Sequence, residues 1–182
     1  MTTRLIYKDV YDIMGNDKVG LIVLTDEKST RQITIVCDRS MAVQLGLRKE
    51  QSINTAKLLP EVLWTLIERY VNMEMKILIN DIKEGEFKTY LCSLDNSVAI
   101  PLRASDAVLL GVVTGIPILM NDQVFMMHST PFHGVKETIS VPLTALSKDM
   151  LQKALDEAVK IEDYDKATHL RDELRRRDKN TN

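Results

Sequence analysis

Apolar and polar residues alternate through the first forty positions with the two-residue period of extended chain. RLIYKDVYDI (4–13) and VGLIVLT (19–25) are strand patterns separated by a GND turn signal. DEKST then leads into a third strand pattern, RQITIVC (31–37). SMAVQLGLRK reads as a short helix and LPEVLWTLIERYV (59–71) as a firmer one, with Val62, Leu66 and Tyr70 sharing a face with Leu63 and Ile67. Pro60 falls in the first turn, where its missing N–H costs nothing. MKILINDI, EFKTYLCSL and SVAIPL return to strand, with KEG and DN as hairpin turns. An apolar helix from Ser105 follows, then a short strand, PILM. Between Asn121 and Ser147 the pattern fails, interrupted by Pro131, Gly134 and Pro142.

One regularity organises these elements. Shifting the sequence by 65 residues lays SMAVQLG (40–46) over SDAVLLG (105–111), with five of the seven positions identical. In both places a hairpin delivers the chain to the helix. This is the signature of a duplicated strand–strand–helix unit. Two such units predict an α+β fold: a mixed, mainly antiparallel sheet with packed helices. A C-terminal α-helical hairpin completes the expected architecture, with domains at 1–140 and 147–180.

Charge and composition narrow the function classes. The net charge is −2, and the segment from Leu146 onward carries 9 basic and 9 acidic residues, so neither part is a polycation. Any nucleic-acid contact must use a local patch, because nonspecific affinity requires several phosphates to be neutralised. Cys37 and Cys92 sit in alternating apolar runs and read as buried strand thiols, neither disulfide nor metal ligands. His128 and His133 lie in the irregular stretch without metal-site spacing, so they read as loop polarity. MTTRLIYKDVYD lacks the apolar core of a signal peptide, and Ala107–Met120 is too short for a bilayer. A cytoplasmic protein without membrane contact is expected.

The chemistry concentrates in RASD (103–106). In one reading Ser105 caps the helix, Asp106 favours its positive end and Arg103 pairs with Asp106 across the turn. The apolar residues that follow cover every side, which predicts a helix buried all round. In the other reading the same hydroxyl, carboxylate and guanidinium bind phosphate or a divalent cation beside it. The residues by themselves leave both open.

EGEFKTYLCSLDNSVAIPLRASDAVLLGVVTGIPILMNDQVF resembles the second half of the bifunctional nuclease domain family, and RQITIVCDRSMAVQLGL its first half. The similarity spans roughly residues 5–127. It implies an α+β domain, often self-associating, with activity on DNA and RNA. As a nuclease, the chain is expected to use Asp106 as the catalytic acid beside a divalent ion, Mg²⁺ or Mn²⁺, with Arg103 steadying phosphate and Ser105 fixing the turn. The chain departs from the family pattern at three places. Met41 and Pro101 stand where acids are usual, and Ala56-Lys57 where a His-Asp pair is.

The tail, LQKALDEAVKIEDYDKATHLRDELRRR (151–177), carries two apolar stripes. Leu151, Leu155, Ala158 and Val159 form one, and Tyr164, Ala167, Leu170 and Leu174 the other. They point about a third of a turn apart, so a straight helix would not bury both, and a break near Glu162-Asp163 gives two antiparallel helices. EAVK, EDYDKA and LRDEL resemble the UVR motif, a helical docking hairpin of bacterial excision-repair proteins. That resemblance implies a protein partner, with Leu151, Leu155, Tyr164, Leu170, Arg171 and Leu174 as contact residues. Two functions follow: a divalent-metal nuclease acting on DNA or RNA, or a non-catalytic adaptor that keeps the fold, self-associates and docks through its tail.

Overall fold

The structure, a computed structural model, describes residues 1–13, 16–50, 54–70, 74–132, 134, 146, 148–160 and 163–180. The chain divides into two compact units. The first holds Met1–Asp81 with Phe87–Lys136, and the second Ile82–Glu86 with Glu137–Asn182.

The first unit is built on one eight-stranded sheet. Its strands are β1 (Thr2–Ile13), β2 (Asn16–Asp26), β3 (Arg31–Asp38), β4 (Met75–Lys83), β5 (Glu86–Ser93), β6 (Ala99–Leu102), β7 (Ile118–Asn121) and β8 (Thr130–Pro131). Their order is β6-β5-β4-β7-β1-β2-β3-β8. The triplets β1-β2-β3 and β4-β5-β6 therefore fan outward on either side of β7. β7 pairs antiparallel with β1 and parallel with β4. Each triplet ends in a helix: α1 (Arg39–Glu50) after β3 and α3 (Ala104–Thr114) after β6. α2 (Leu59–Tyr70) and the short α4 (Asp122–His128) complete the unit. The fold is α+β, mixed and mainly antiparallel.

Alternation explains the core. Along β2, Leu21, Ile22, Val23 and Leu24 are all buried, as a central strand covered on both faces requires. Ile77, Ile79 and Met120 close the seam between β4 and β7. Cys37 and Cys92 are buried in β3 and β5 and are not joined in a disulfide.

Several expectations need correction. α3 is not buried all round: Ala104, Ser105, Ala107 and Val108 are buried, while Leu109 to Val113 are only half-buried. α3 contacts α1, α2, β3 and β7, but its buried residues all lie in the first turn and a half, and every residue from Leu109 to Val113 keeps part of its surface in solvent. The irregular stretch after Asn121 contains α4, capped by Asn121 Oδ1, which accepts from the backbone N–H of Gln123 and Val124 at 3.0 and 3.4 Å. It also contains β8, where Pro131 pairs opposite Arg31 at the sheet edge. Prolines are tolerated there because no ladder donor is needed. Positions 133, 135–145 and 147 of that stretch, His133 among them, lie outside the described residues, as does Gly15 of the expected first turn.

The duplicated helices share sequence but not environment. Leu45 of α1 is fully buried, while its counterpart Leu110 of α3 is half-buried. Val43 is 46% exposed, while Val108 is fully buried. A Cβ on Gly111 would lie 2.8 Å from Ile118 Cδ1, so that glycine lets α3 approach β7; one on Gly46 would meet open space. α1 and α3 thus present differently rotated faces to the same sheet.

The second unit contains α5 (Lys148–Lys160) and α6 (Tyr164–Asn180). Lys148 Nζ pairs with Asp178 Oδ1 at 2.7 Å, which brings the start of α5 to the end of α6 and fixes the pair as antiparallel. Leu151, Ala158, Ala167, Leu170 and Leu174 form its core, with Leu146, Ala154 and Leu155 packed against them. Arg177 is buried beside this core. Its guanidinium donates to the Leu146 carbonyl at 2.6 Å and to Glu173 Oε1 at 2.9 Å.

Candidate functional site

The two triplets bring their helix N-termini together, and with them the charged residues at equivalent positions. The 65-residue shift that aligns the helices places Asp38 over Arg103. In space these two meet: Arg103 Nη1 lies 3.7 Å from Asp38 Oδ2. The same guanidinium grips Asp106 with two bonds, Nε to Oδ2 at 2.6 Å and Nη2 to Oδ1 at 3.1 Å. Two carboxylates therefore bracket one cation. All three side chains reach solvent, at 68% exposure for Arg103, 47% for Asp38 and 38% for Asp106.

Local structure explains each position. Asp38 closes β3 and caps α1: its Oδ1 accepts from Ser40 Oγ at 2.5 Å and from the Met41 N–H at 2.9 Å. These bonds, joined by the nearby Arg103 charge, hold its carboxyl below the usual range. Asp106 bonded to Arg103 raises the guanidinium above its ordinary value, which fixes its charge.

The cap at α3 differs from expectation. Ser105 is not the N-cap. Arg103 occupies that position with extended backbone, and its carbonyl accepts the first helical bond from the Ala107 N–H at 2.9 Å. The helix starts two residues earlier than the serine suggested, so Ser105 lies inside the first turn and is buried. No side chain caps α3. Asp106 is committed to Arg103, not to backbone, and its carboxylate stays open to solvent.

Asp38 escaped the reading of the sequence. Its signal was present: applied one residue upstream of the matched helices, and then one more, the duplication pairs Asp38 with Arg103. Opposite charges at equivalent positions of converging helices attract.

Among the described residues no three His, Cys, Asp or Glu side chains converge. Asp38 and Asp106 nevertheless match the protein's usual share of a Mg²⁺ site, one or two carboxylates completed by water and substrate phosphate oxygens. Arg103 stands between them and must turn outward for an ion to bind both.

The residues expected to dock a partner divide. Leu151, Leu170 and Leu174 are buried in the hairpin's own core, and Leu155, half-buried, packs against it. Tyr164 and Arg171 are exposed, and Val159 joins them at 52%. His128 closes α4.

The model of the bifunctional nuclease domain family matches residues 22–133. This chain belongs to that family. The bifunctional nuclease domain so delimited holds Asp38, Arg103, Ser105 and Asp106, and leaves β1 and the α5–α6 hairpin outside. Membership of the bifunctional nuclease domain family points to nuclease-like function associated with nucleic acid. No curated protein matches the chain. Among the described residues no helix is long and apolar enough to cross a membrane.

Proposed function

We propose that this chain hydrolyses phosphodiester bonds in DNA or RNA at the Asp38–Arg103–Asp106 face, using Mg²⁺ or Mn²⁺. The observation that carries the reading is the state of Asp106: a solvent-reachable carboxylate that caps nothing, with a second carboxylate brought beside it from the other half of the fold. With substrate present, Asp106 and Asp38 would hold the ion, which polarises the phosphoryl group and supplies a nucleophilic oxygen. Arg103, released from the carboxylates, steadies a phosphate oxygen through its planar fork. Buried Ser105 keeps the first turn of α3 packed so that Arg103 and Asp106 stay in register.

Incubating single-stranded DNA and RNA with the protein and either ion tests this. Asp106→Asn and Asp38→Asn are each expected to slow cleavage by roughly 10- to 100-fold. If both cut like wild type, the face is structural. The second reading is a non-catalytic adaptor. It is favoured by the double clamp on Arg103, which leaves the cluster with one net negative charge in this conformation.

Two contacts belong to either reading. α2 has no buried residue, and Leu59, Val62, Leu63, Leu66, Ile67 and Tyr70 are each at least 40% exposed. Apolar patches of this kind mark interaction sites, which supports self-association through α2. The hairpin, similar to the UVR motif, offers Val159, Tyr164 and Arg171 to a protein partner. Two buried thiols outside any disulfide suit the reducing cytoplasm. Sedimentation and pulldown on wild type, Leu66→Asp and Tyr164→Asp separate the contacts. Leu66→Asp should shift the protein to monomer, and Tyr164→Asp should lose partners while keeping the oligomer. Unchanged sedimentation and unchanged recovery overturn both assignments.

A further inference from the structure

A second site lies away from the carboxylate pair. A cavity of about 440 Å³ opens between α1, the 3-10 turn Thr55–Lys57, α2 and α3, lined among others by Arg48, Asn54, Thr55, Glu61, Trp64 and Val113. Its volume falls within the range of small-molecule sites.

Arg48 is the unusual member. Its side chain is only 5% exposed. Nη1 donates to the Gln44 carbonyl at 2.7 Å and to Gln44 Oε1 at 2.9 Å, and Nη2 donates to Glu61 Oε2 at 2.8 Å. Nε is buried with no partner. A buried guanidinium N–H without an acceptor is costly, so the site is short of one oxygen or ring nitrogen. Glu61 Oε2 takes the Arg48 bond, leaving Oε1 as an acceptor beside the cavity. Asn54 spends its Oδ1 on the Ala56 N–H at 3.1 Å, which leaves its amide NH₂ as a donor. Trp64 lies three residues after Glu61 on α2, so both side chains fall on the same face.

We propose that this cavity binds a guanine base from an unpaired nucleotide. The inference rests on the nucleic-acid reading above and names the base that reading would recognise. Among the four bases guanine alone pairs two adjacent donors, N1–H and N2–H₂, with an acceptor, O6. A carboxylate satisfies the donors, the Asn54 amide meets the acceptor, and the indole supplies a stacking wall. The lining charges of Arg48 and Glu61 cancel, which suits an uncharged base better than a phosphate.

Trp64 is the only tryptophan in the sequence, so its fluorescence reports the site directly. The protein, without divalent ion, is titrated with the monophosphates of guanosine, adenosine, cytidine and uridine. A parallel series uses oligouridine with and without a single internal guanine. Saturable quenching at least tenfold tighter for guanine than for any other base is expected. Glu61→Gln should abolish that preference. Val113→Met should fill the cavity and weaken every ligand, a check independent of the Arg48–Glu61 pair. Tighter binding of the guanine-containing strand than of the monophosphate identifies nucleic acid as the source, and the reverse identifies free nucleotide. No quenching by any guanine ligand, or equal affinity for all four bases, overturns the proposal. Loss of cleavage in Asp106→Asn with quenching retained, or the converse, separates this site from the hydrolytic one.

Discussion

Replacing Arg48 with methionine is expected to lower the unfolding free energy by about 3 kcal/mol, the cost of removing one partner from a buried ion pair. The side chains of Arg48 and Glu61 are 5% and 16% exposed, so water reaching the carboxylate through the cavity replaces its missing partner only in part. The Gln44 carbonyl and amide oxygen lose their donor as well. In a chain of this size the loss appears as a fall in Tm of about 6–12 °C. The double variant Arg48→Met with Glu61→Leu removes both charges and is expected to recover more than half of that loss, since no unpaired ion remains. Urea unfolding at neutral pH measures both. A loss under about 1 kcal/mol for Arg48→Met would mean that the guanidinium is solvated in solution.

The second large effect concerns the duplication. Leu45→Ala is expected to cost about 2–5 kcal/mol, the range for truncating a buried leucine whose neighbours cannot collapse into the space. Leu110→Ala, at the equivalent position of the other half, is expected to cost less than half as much. Leu45 is fully buried where α1 packs on β1, β2 and β3, whereas Leu110 is half-buried in α3. Denaturant midpoints for the two variants, with unchanged slope, make the comparison. Equal losses would show that the helices pack equivalently and that the rotation between them is absent in solution.

Those two leucines also show where the sequence stops being informative. Both stand five residues after an aligned serine, in near-identical heptapeptides, and nothing local separates them. The difference arises from neighbours distant in the chain. Gly111 allows close contact with Ile118 of β7, while Gly46 faces open space. The same limit applies to α2. Its apolar face was evident from the spacing of Val62, Leu66 and Tyr70, but not that the face is left exposed among the described residues.

The site divides along the same line. Arg103 and Asp106 were legible as a pair because three residues on one helical turn bring side chains together. Asp38 was not, because it comes from the other half, and the cavity around Arg48 needed four separate elements to form its walls. Ser105 was misplaced by two positions, since a helix start depends on which carbonyl accepts the first bond and not only on which residue suits a cap. In the tail, the two apolar stripes located the hairpin, yet most of the side chains that defined them are buried in its own core, and only Val159 and Tyr164 stay exposed.

By itself the sequence determined what repeats locally: the strand alternation, the helical stripes, the strand–strand–helix duplication and the break between the tail helices. These rest on side-chain periodicity, which is a property of the chain over a few residues. Only the tertiary structure decided that two helix N-termini converge to place Asp38 beside Arg103 and Asp106. It alone also buried Arg48 with an unmatched donor and left one apolar face wet. Those outcomes depend on packing between segments tens of residues apart, where the contact partner and not the local pattern sets the environment.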